Sequence, residues 1–187
     1  MAEKYSKEDA EQFFDKLSGY LIEEFGENNK SKTERDVDSF GGSEKECVFV
    51  RELLGPKMKD FLSNRGVLNA PDDDFRYEGQ PIVDKKRKSN RLYYPLLGRG
   101  MYPDMRLTSR QISFCCEVKY SPSTNELMKA IGQALTYREK SKFDYGLVVF
   151  YALPDKKTGK PSLDKLKKDE TNLFEKLKEH SIFVIII

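Results

Sequence analysis

The chain has 187 residues, of which 38% are hydrophobic and 34% are charged, as expected for one α/β domain with a heavily charged surface. The net charge of +2 is too small to indicate a nucleic-acid partner by itself, and a single histidine excludes a metal site built from several histidines. Any catalysis is therefore expected to depend on carboxylates and lysines.

The three cysteines, Cys47, Cys115 and Cys116, have no metal-finger spacing and are too few for a disulfide framework. They indicate a reducing, cytoplasmic compartment. The polar N-terminus lacks the pattern of a signal peptide. The longest apolar run, at residues 182–187, is far too short to span a bilayer, so we expect no membrane partner.

The first half of the chain predicts helices. Residues 6–25 form an amphipathic pattern, whereas the polar, turn-rich residues 27–42 indicate a linker. A second helix is predicted from Ser43, interrupted at 55–56 by Gly-Pro, and residues 63–90 are expected to be irregular. The apolar stripe of the first helix consists of Ala10, Phe13, Phe14, Leu17, Leu21 and Phe25.

The second half predicts strands alternating with helices. Strands are expected at 91–97, 101–108, 111–120, 145–153 and 182–187, and helices at 124–140 and 162–179. The order α-α-β-β-β-α-β-α-β predicts an α/β fold with a mixed central β-sheet flanked by helices. We divide the chain into an N-terminal helix and linker, 1–42, and a main domain, 43–187.

The predicted strand at 111–120 carries unusual charges, since successive side chains of a strand point to opposite faces. One face is apolar and consists of Ile112, Phe114, Cys116 and Val118. The other consists of Ser113, Cys115, Glu117 and Lys119. A buried charge is costly unless it is paired or bound to a metal, and an ordinary solvated face is the alternative.

A further carboxylate, Asp104, lies thirteen residues before Glu117. A hairpin between the second and third predicted strands would bring the two together. Adjacent carboxylates repel each other, and a divalent cation relieves that repulsion. Oxygen ligands of this kind suit Mg²⁺ or Mn²⁺, and Lys119 would then orient or deprotonate a water or stabilise charge on a phosphate.

The pattern Pro103-Asp104, followed by Glu117-Val118-Lys119, resembles the motif of the PD-(D/E)XK nucleases. Gln133 and Tyr137, on the next predicted helix, resemble the QxxxY motif of RecB-like members. The resemblance covers roughly residues 43–153. It implies a restriction-endonuclease-like core, αβββαβ, with an extra N-terminal helix, and Mg²⁺- or Mn²⁺-dependent hydrolysis of DNA.

The resemblance also implies a role for each residue. Asp104, Glu117 and the backbone carbonyl of Val118 would bind the metal, Lys119 would assist the water, and Gln133 and Tyr137 would support the site. The family usually adds an acidic residue from the preceding helix, and Glu46 is the candidate, followed by Glu44 and Glu52. A capping box formed by Ser43 and Glu46 explains Glu46 equally well.

DNA is the expected partner, and the RecB-like motif favours ends or single strands. Candidate backbone-binding cations are Lys85, Lys86, Arg87, Lys88, Lys129 and Arg138. A localisation signal or a solvated turn explains the run at 85–88 equally well. A homodimer is compatible with this class of nuclease, because double-strand cutters of this kind often dimerise.

Two alternatives belong to other functional classes. One is a catalytically inactive nuclease-fold protein that acts as a nucleic-acid-binding or assembly module. The other is an unrelated α/β interaction protein, in which Glu117 and Lys119 would form an ordinary surface ion pair.

Overall fold

The structure, a computed structural model, describes residues 3–39, 45–77, 94–96, 99–101, 103–121, 123–140, 143–154 and 171–187. The helices are α1 (Lys7–Phe25), α2 (Lys30–Ser39), α3 (Lys45–Val48), α4 (Gly55–Asn64), α5 (Thr124–Lys140) and α6 (Thr171–Glu179), and a π-helical segment, Phe49–Leu54, joins α3 to α4. The strands are β1 (Asp74–Tyr77), β2 (Tyr94–Leu96), β3 (Arg99–Met101), β4 (Met105–Thr108), β5 (Ser113–Ser121), β6 (Tyr145–Ala152) and β7 (Ile182–Ile186).

Five strands form one mixed sheet in the order β1-β4-β5-β6-β7. β1, β4 and β5 pair antiparallel, whereas β5, β6 and β7 pair parallel. β2 and β3 form a separate antiparallel pair. The predicted mixed sheet flanked by helices is thereby confirmed, and β4 and β5 form the predicted hairpin.

The sheet has an apolar cluster on each face, because β6 is buried at every position and its side chains alternate between the faces. Leu147 and Val149 pack in the cluster that contains residues of α1 and α4. Val148 and Phe150 pack in the cluster that contains residues of α5 and α6. The site face is defined here as the second face, which carries Val148 and Phe150. Within the described part of the chain, no helix is both long and apolar enough to cross a membrane.

Helix α1 forms as predicted, with Ser6 as its N-cap and the side chain of Asp9 completing the capping box. All six residues of the predicted apolar stripe are buried. The ring of Phe14 stacks on Phe183 at a centroid distance of 4.1 Å and meets Phe114 edge-on at 5.8 Å. The N-terminal helix therefore packs directly on the strands of the main sheet.

The prediction of a linker at 27–42 is wrong for residues 30–39, which form α2. Two of its residues, Thr33 and Val37, are buried, and their spacing of four places them on one helical face. The Tyr151 hydroxyl also donates a hydrogen bond to the Lys30 carbonyl at 3.3 Å. Tertiary packing therefore stabilises a segment whose polar composition indicated a linker.

We expect Val37→Ala to lower the free energy of unfolding by about 2 kcal/mol, because it removes two buried methyl groups and leaves a cavity. Urea unfolding monitored by circular dichroism measures the change. Lys32→Ala, on the exposed face of α2, is the matched control and is expected to change stability by less than about 0.5 kcal/mol. Equal stability of the two variants would contradict the packing of α2.

Other boundaries also differ from the predictions. The stretch expected to be irregular, 63–90, contains β1, whose Phe75 is buried. At 55–56 a new helix, α4, begins with Pro56 in its first turn, as predicted, but the chain does not leave the helical conformation there, since Gly55 has helical dihedral angles. The strand expected at 101–108 is divided, because β3 ends at Met101 and β4 begins at Met105. Of the predicted helix 162–179, residues 162–170 lie outside the described residues.

Candidate active site

Asp104 lies immediately before β4, at the point where β5 continues beyond its partner strand. Met105, the first residue of β4, stands opposite Cys116, and no β4 residue stands opposite the part of β5 that follows Cys116. The backbone N–H of Val118 consequently has no strand partner on that side, and it donates a hydrogen bond to Asp104 Oδ2 at 2.7 Å. The hairpin thus brings Asp104 to the strand that carries Glu117.

Glu117 is buried, with only 2% of its surface exposed. It pairs in register with Val148, so it lies on the site face, where α5 packs. Its Oε2 atom is 3.7 Å from the Lys119 ammonium, whereas its Oε1 atom has no hydrogen-bond partner among the described residues. Burial and the nearby charge of Asp104 raise the pKa of Glu117 to about 9.

Helix α5 contributes Tyr137 and Gln133 to the same place. The Tyr137 hydroxyl hydrogen-bonds to the Glu117 carboxyl group, and the Gln133 side chain hydrogen-bonds to Tyr137. Burial and the neighbouring Glu117 raise the pKa of Tyr137, so its hydroxyl stays protonated. The hydroxyl therefore donates a hydrogen bond to the carboxyl group of Glu117. The two residues of the QxxxY pattern therefore form a chain of hydrogen bonds that ends on Glu117.

Lys119 lies between two carboxylates. Its ammonium nitrogen is 2.9 Å from Glu46 Oε1 and 3.7 Å from Glu117 Oε2, and only 12% of its side chain is exposed. Burial by itself lowers the pKa of Lys119, but the hydrogen bond to Glu46 and the charge of Asp104 outweigh burial and raise it. Lys119 is therefore a cation at neutral pH.

The other oxygen of Glu46, Oε2, accepts a hydrogen bond from the backbone N–H of Tyr120 at 3.4 Å. The amides of Val118 and Tyr120 lie on the same edge of β5, beyond the end of β4, and each meets a carboxylate. The backbone contact of Glu46 is therefore with β5, seventy-four residues away in the chain. Ser43, the expected partner in a capping box, lies outside the described residues.

The site contains three carboxylates and one ammonium group, an excess of negative charge that a cation would balance. The buried Glu117 Oε1 atom, which has no hydrogen-bond partner in the described part of the chain, is an oxygen ligand of the type that Mg²⁺ and Mn²⁺ bind. Among the described residues, however, no group of three or more His, Cys, Asp or Glu side chains is arranged so that it could hold a metal ion. Glu46 and Asp104 each accept hydrogen bonds from protein donors instead.

Comparison with protein-family models, curated proteins and solved structures found no match. An ordinary surface ion pair between Glu117 and Lys119 requires exposed partners, whereas Glu117 is 2% exposed and the side chain of Lys119 is 12% exposed. The two residues therefore form a buried pair and not a surface one.

The proposed phosphate-binding cations are only partly described. Lys85, Lys86, Arg87 and Lys88 lie outside the described residues. Lys129 is 66% exposed and pairs with Glu126, and Arg138 pairs with Glu139. Both cations are therefore paired with acidic neighbours on α5, and the structure places neither in contact with Glu117 or Lys119.

Glu52 and Cys115 do not join the candidate chemistry. Glu52 forms an ion pair with Arg51. Cys115 is buried, and burial raises the pKa of its thiol to about 12, so it is not a thiolate nucleophile.

Arg106 also lies near the site and was not predicted from the sequence. Arg106 stands opposite Cys115 in the β4–β5 pair, and cross-strand partners share a face, so it lies on the same face as Glu117. Its guanidinium group pairs with Asp74 of β1 at 3.3 Å. The spacing of two from Asp104 was the available signal, because it places both residues on one side of the chain.

Proposed function

We propose that the protein is a divalent-metal-dependent nuclease that hydrolyses phosphodiester bonds of DNA. The observation that carries the proposal is the buried carboxyl group of Glu117, held beside Asp104 and Lys119, with one oxygen that has no hydrogen-bond partner among the residues the structure describes. A carboxylate in this environment is unstable without a proton or a cation, and such groups are concentrated at functional sites.

The connectivity supports a restriction-endonuclease-like core. The elements α4, β1, β4, β5, α5 and β6 follow the order αβββαβ when the β2–β3 pair is treated as an insertion. The first core strand is then β1 rather than the predicted strand at 91–97. The paired carboxylates lie at the β4–β5 hairpin, where the motif resemblance requires them.

Asp104, Glu117 and the carbonyl of Val118 are the residues that would hold Mg²⁺ or Mn²⁺. The carbonyl belongs to this set because the N–H and C=O of one strand residue point to the same side, and the Val118 N–H points to Asp104. When bound, such a cation polarises a phosphate and lowers the pKa of a coordinated water.

The protein's own groups have distinct roles in this proposal. Lys119, a cation at neutral pH, stabilises negative charge on the phosphate instead of acting as a base. Tyr137 orients Glu117 through their hydrogen bond, and Gln133 orients Tyr137. Phosphate-backbone contacts would come from the cations at 85–88, as predicted from the sequence.

Cleavage assays with Mn²⁺ or Mg²⁺ on linear duplex, circular duplex and single-stranded DNA test the proposal and identify the substrate. We expect divalent-metal-dependent cleavage of at least one of these substrates. An RNA of the same sequence tests the preference for DNA, and size-exclusion chromatography tests the proposed homodimer. Absence of cleavage on every substrate with both metals would contradict the proposed function.

Tyr137→Phe is expected to reduce cleavage or the affinity for metal by about 10- to 100-fold, because outer residues that orient metal ligands have effects of this size. Steady-state cleavage at several Mn²⁺ concentrations measures both quantities. Tyr145→Phe, on β6, removes a hydroxyl from a side chain on the opposite face of the sheet from Glu117 and is expected to leave cleavage unchanged. Equal activities of the two variants would exclude Tyr137 from the site.

A catalytically inactive nucleic-acid-binding module is the second candidate. It is favoured by the engagement of Asp104 and Glu46 with protein donors and by the lack of a three-ligand group among the described residues. DNA binding without cleavage, unaffected by Asp104→Asn, would support this second candidate.

A further inference from the structure

We propose that Glu46 is a positioning residue for Lys119 and is not a ligand of the metal. This inference rests on the proposed function and revises the role that the motif resemblance assigns to Glu46. The observation behind it is that both oxygens of Glu46 contact protein donors next to each other in β5, Oε1 the Lys119 ammonium at 2.9 Å and Oε2 the Tyr120 amide at 3.4 Å.

The two acidic side chains that flank Lys119 differ in the oxygens they leave available. Glu117 has an oxygen with no partner among the described residues, and that atom is free to bind a cation. Glu46 has a partner on each oxygen, and the nearer partner is itself a cation. A metal bound to Glu46 would lie close to the Lys119 ammonium, so the two positive charges would repel.

The helix that carries Glu46 is fixed to the same part of β5. Phe49, three residues after Glu46, is fully buried, and its ring lies 5.3 Å from the ring of Tyr120. The Tyr120 backbone N–H therefore donates a hydrogen bond to the side chain of Glu46, and the Tyr120 ring contacts Phe49 in the adjoining π-helical segment. This double attachment sets the distance between Glu46 and Lys119.

The consequence for Lys119 is a fixed ammonium position. A lysine side chain has four rotatable bonds and loses considerable freedom when its end is held. With Glu46 on one side and Glu117 on the other, the ammonium group is confined before any substrate binds. Such confinement raises the rate of a reaction step that needs the charge at one place, and it does not change the affinity for metal.

The test compares Glu46→Gln with Glu52→Gln. Glu52 lies in the adjoining π-helical segment, and its carboxylate pairs only with Arg51 in the described structure. Single-turnover cleavage is measured as a function of Mn²⁺ concentration. For Glu46→Gln we expect the rate at saturating Mn²⁺ to fall by about 10- to 100-fold, with half-saturating Mn²⁺ within about twofold of the wild type. Glu52→Gln is expected to leave both unchanged.

A double variant separates an effect through Lys119 from a direct one. If Glu46 acts through Lys119, adding Glu46→Gln to Lys119→Met causes little further loss, because the group that it positions is already absent. A rise of about tenfold or more in half-saturating Mn²⁺, with the rate restored at high Mn²⁺, would overturn the inference and make Glu46 a ligand. Additive losses in the double variant would also overturn it.

Two readouts do not depend on cleavage, so failure of the proposed function is distinguishable from failure of this inference. Mn²⁺ affinity is measured by calorimetry, with Asp104→Asn as a variant that is expected to lose it. The Lys119 side-chain resonance is followed in protein labelled with ¹³C-lysine. We expect Glu46→Gln to shift that resonance and to leave Mn²⁺ affinity unchanged. A weakened affinity, or an unmoved Lys119 resonance, would reject the role of Glu46 even in a protein that cleaves nothing.

Discussion

Asp104→Asn is expected to reduce metal-dependent cleavage by about 100- to 1000-fold while leaving the protein folded. The amide retains an oxygen that can accept the hydrogen bond from the Val118 N–H, so the β4–β5 hairpin keeps its end. The substitution removes the negative charge next to Glu117, and that charge is what attracts the cation in our proposal. Initial rates of cleavage under saturating Mn²⁺, with circular dichroism as the test of folding, measure both parts.

Lys119→Met is the companion variant, since methionine keeps the length of the side chain and removes the ammonium group. We expect a loss of about 100- to 10,000-fold, the range seen when a group that supports charge or proton transfer is removed. Asp104→Ala and Lys119→Ala should also abolish cleavage, although Asp104→Ala leaves the Val118 amide without its acceptor and costs about 1–3 kcal/mol in stability. Full activity in either Asp104→Asn or Lys119→Met would contradict the assignment.

Glu117→Gln is expected to stabilise the metal-free protein while abolishing cleavage. The pKa of Glu117 is raised from 4.5 to about 9, so the folded protein favours the protonated, neutral form. At pH 7 the Glu117 side chain is ionised in the unfolded chain. In the folded chain it must either take up a proton or bury a negative charge, and both cost free energy. The resulting penalty is on the order of 3 kcal/mol at pH 7, and a neutral glutamine does not incur it.

The direction of the pH dependence follows from the raised pKa of Glu117. Below about pH 4.5 both folded and unfolded chains hold the proton, so the wild type and Glu117→Gln should differ little. As the pH rises from 4.5 towards 9, the wild type loses stability relative to the variant, and above 9 the difference becomes constant. Thermal unfolding from pH 5 to pH 9 in the presence of a chelator measures this divergence.

Glu52→Gln, which removes a partly exposed carboxylate, serves as the control for the loss of one negative charge. Mn²⁺ should raise the melting temperature of the wild type more at pH 8 than at pH 6, because the cation replaces the proton on Glu117. Mn²⁺ should have little effect on the melting temperature of Glu117→Gln. Parallel pH profiles for the wild type and Glu117→Gln would exclude a buried, raised-pKa carboxylate at this position.

The elements that the sequence predicts well are those with a clear apolar period. The stripe of α1, the continuous apolar run of β6 and the alternation of β5 each identify an element and the face that it buries. Alternation in β5 also predicts that Glu117 and Lys119 share a face. The predicted hairpin places Asp104 beside β5, because strands that follow each other in the sequence readily pair antiparallel.

The elements that were missed lack such a period. Helix α2 has only Thr33 and Val37 buried, and β1 has only Phe75 buried. Neither segment therefore has enough apolar residues to show a helical or strand period in its sequence. Their stability comes from contacts with distant parts of the chain, such as Tyr151 on Lys30. Such contacts are tertiary, and no local pattern encodes them.

The partner of Lys119 was beyond prediction for the same reason. Glu46 is seventy-three residues away, and its spacing within α3 gives no information about which strand it meets. The sequence suggested Glu46 as an acidic residue of the site through the motif resemblance. Only the fold shows that Glu46 contacts the Lys119 ammonium, a contact that the sequence does not distinguish from binding of a metal ion.

In our proposal, Asp104, Glu117 and Lys119 form a metal-dependent site for cleaving DNA. The most direct measurement is the time course of DNA cleavage by purified wild-type protein and by Asp104→Asn, prepared identically, with Mn²⁺ and then with excess chelator. We predict cleavage by the wild type that stops on addition of chelator, and at least a 100-fold slower reaction for Asp104→Asn. Equal cleavage by the two proteins, or none by the wild type, would contradict the claim.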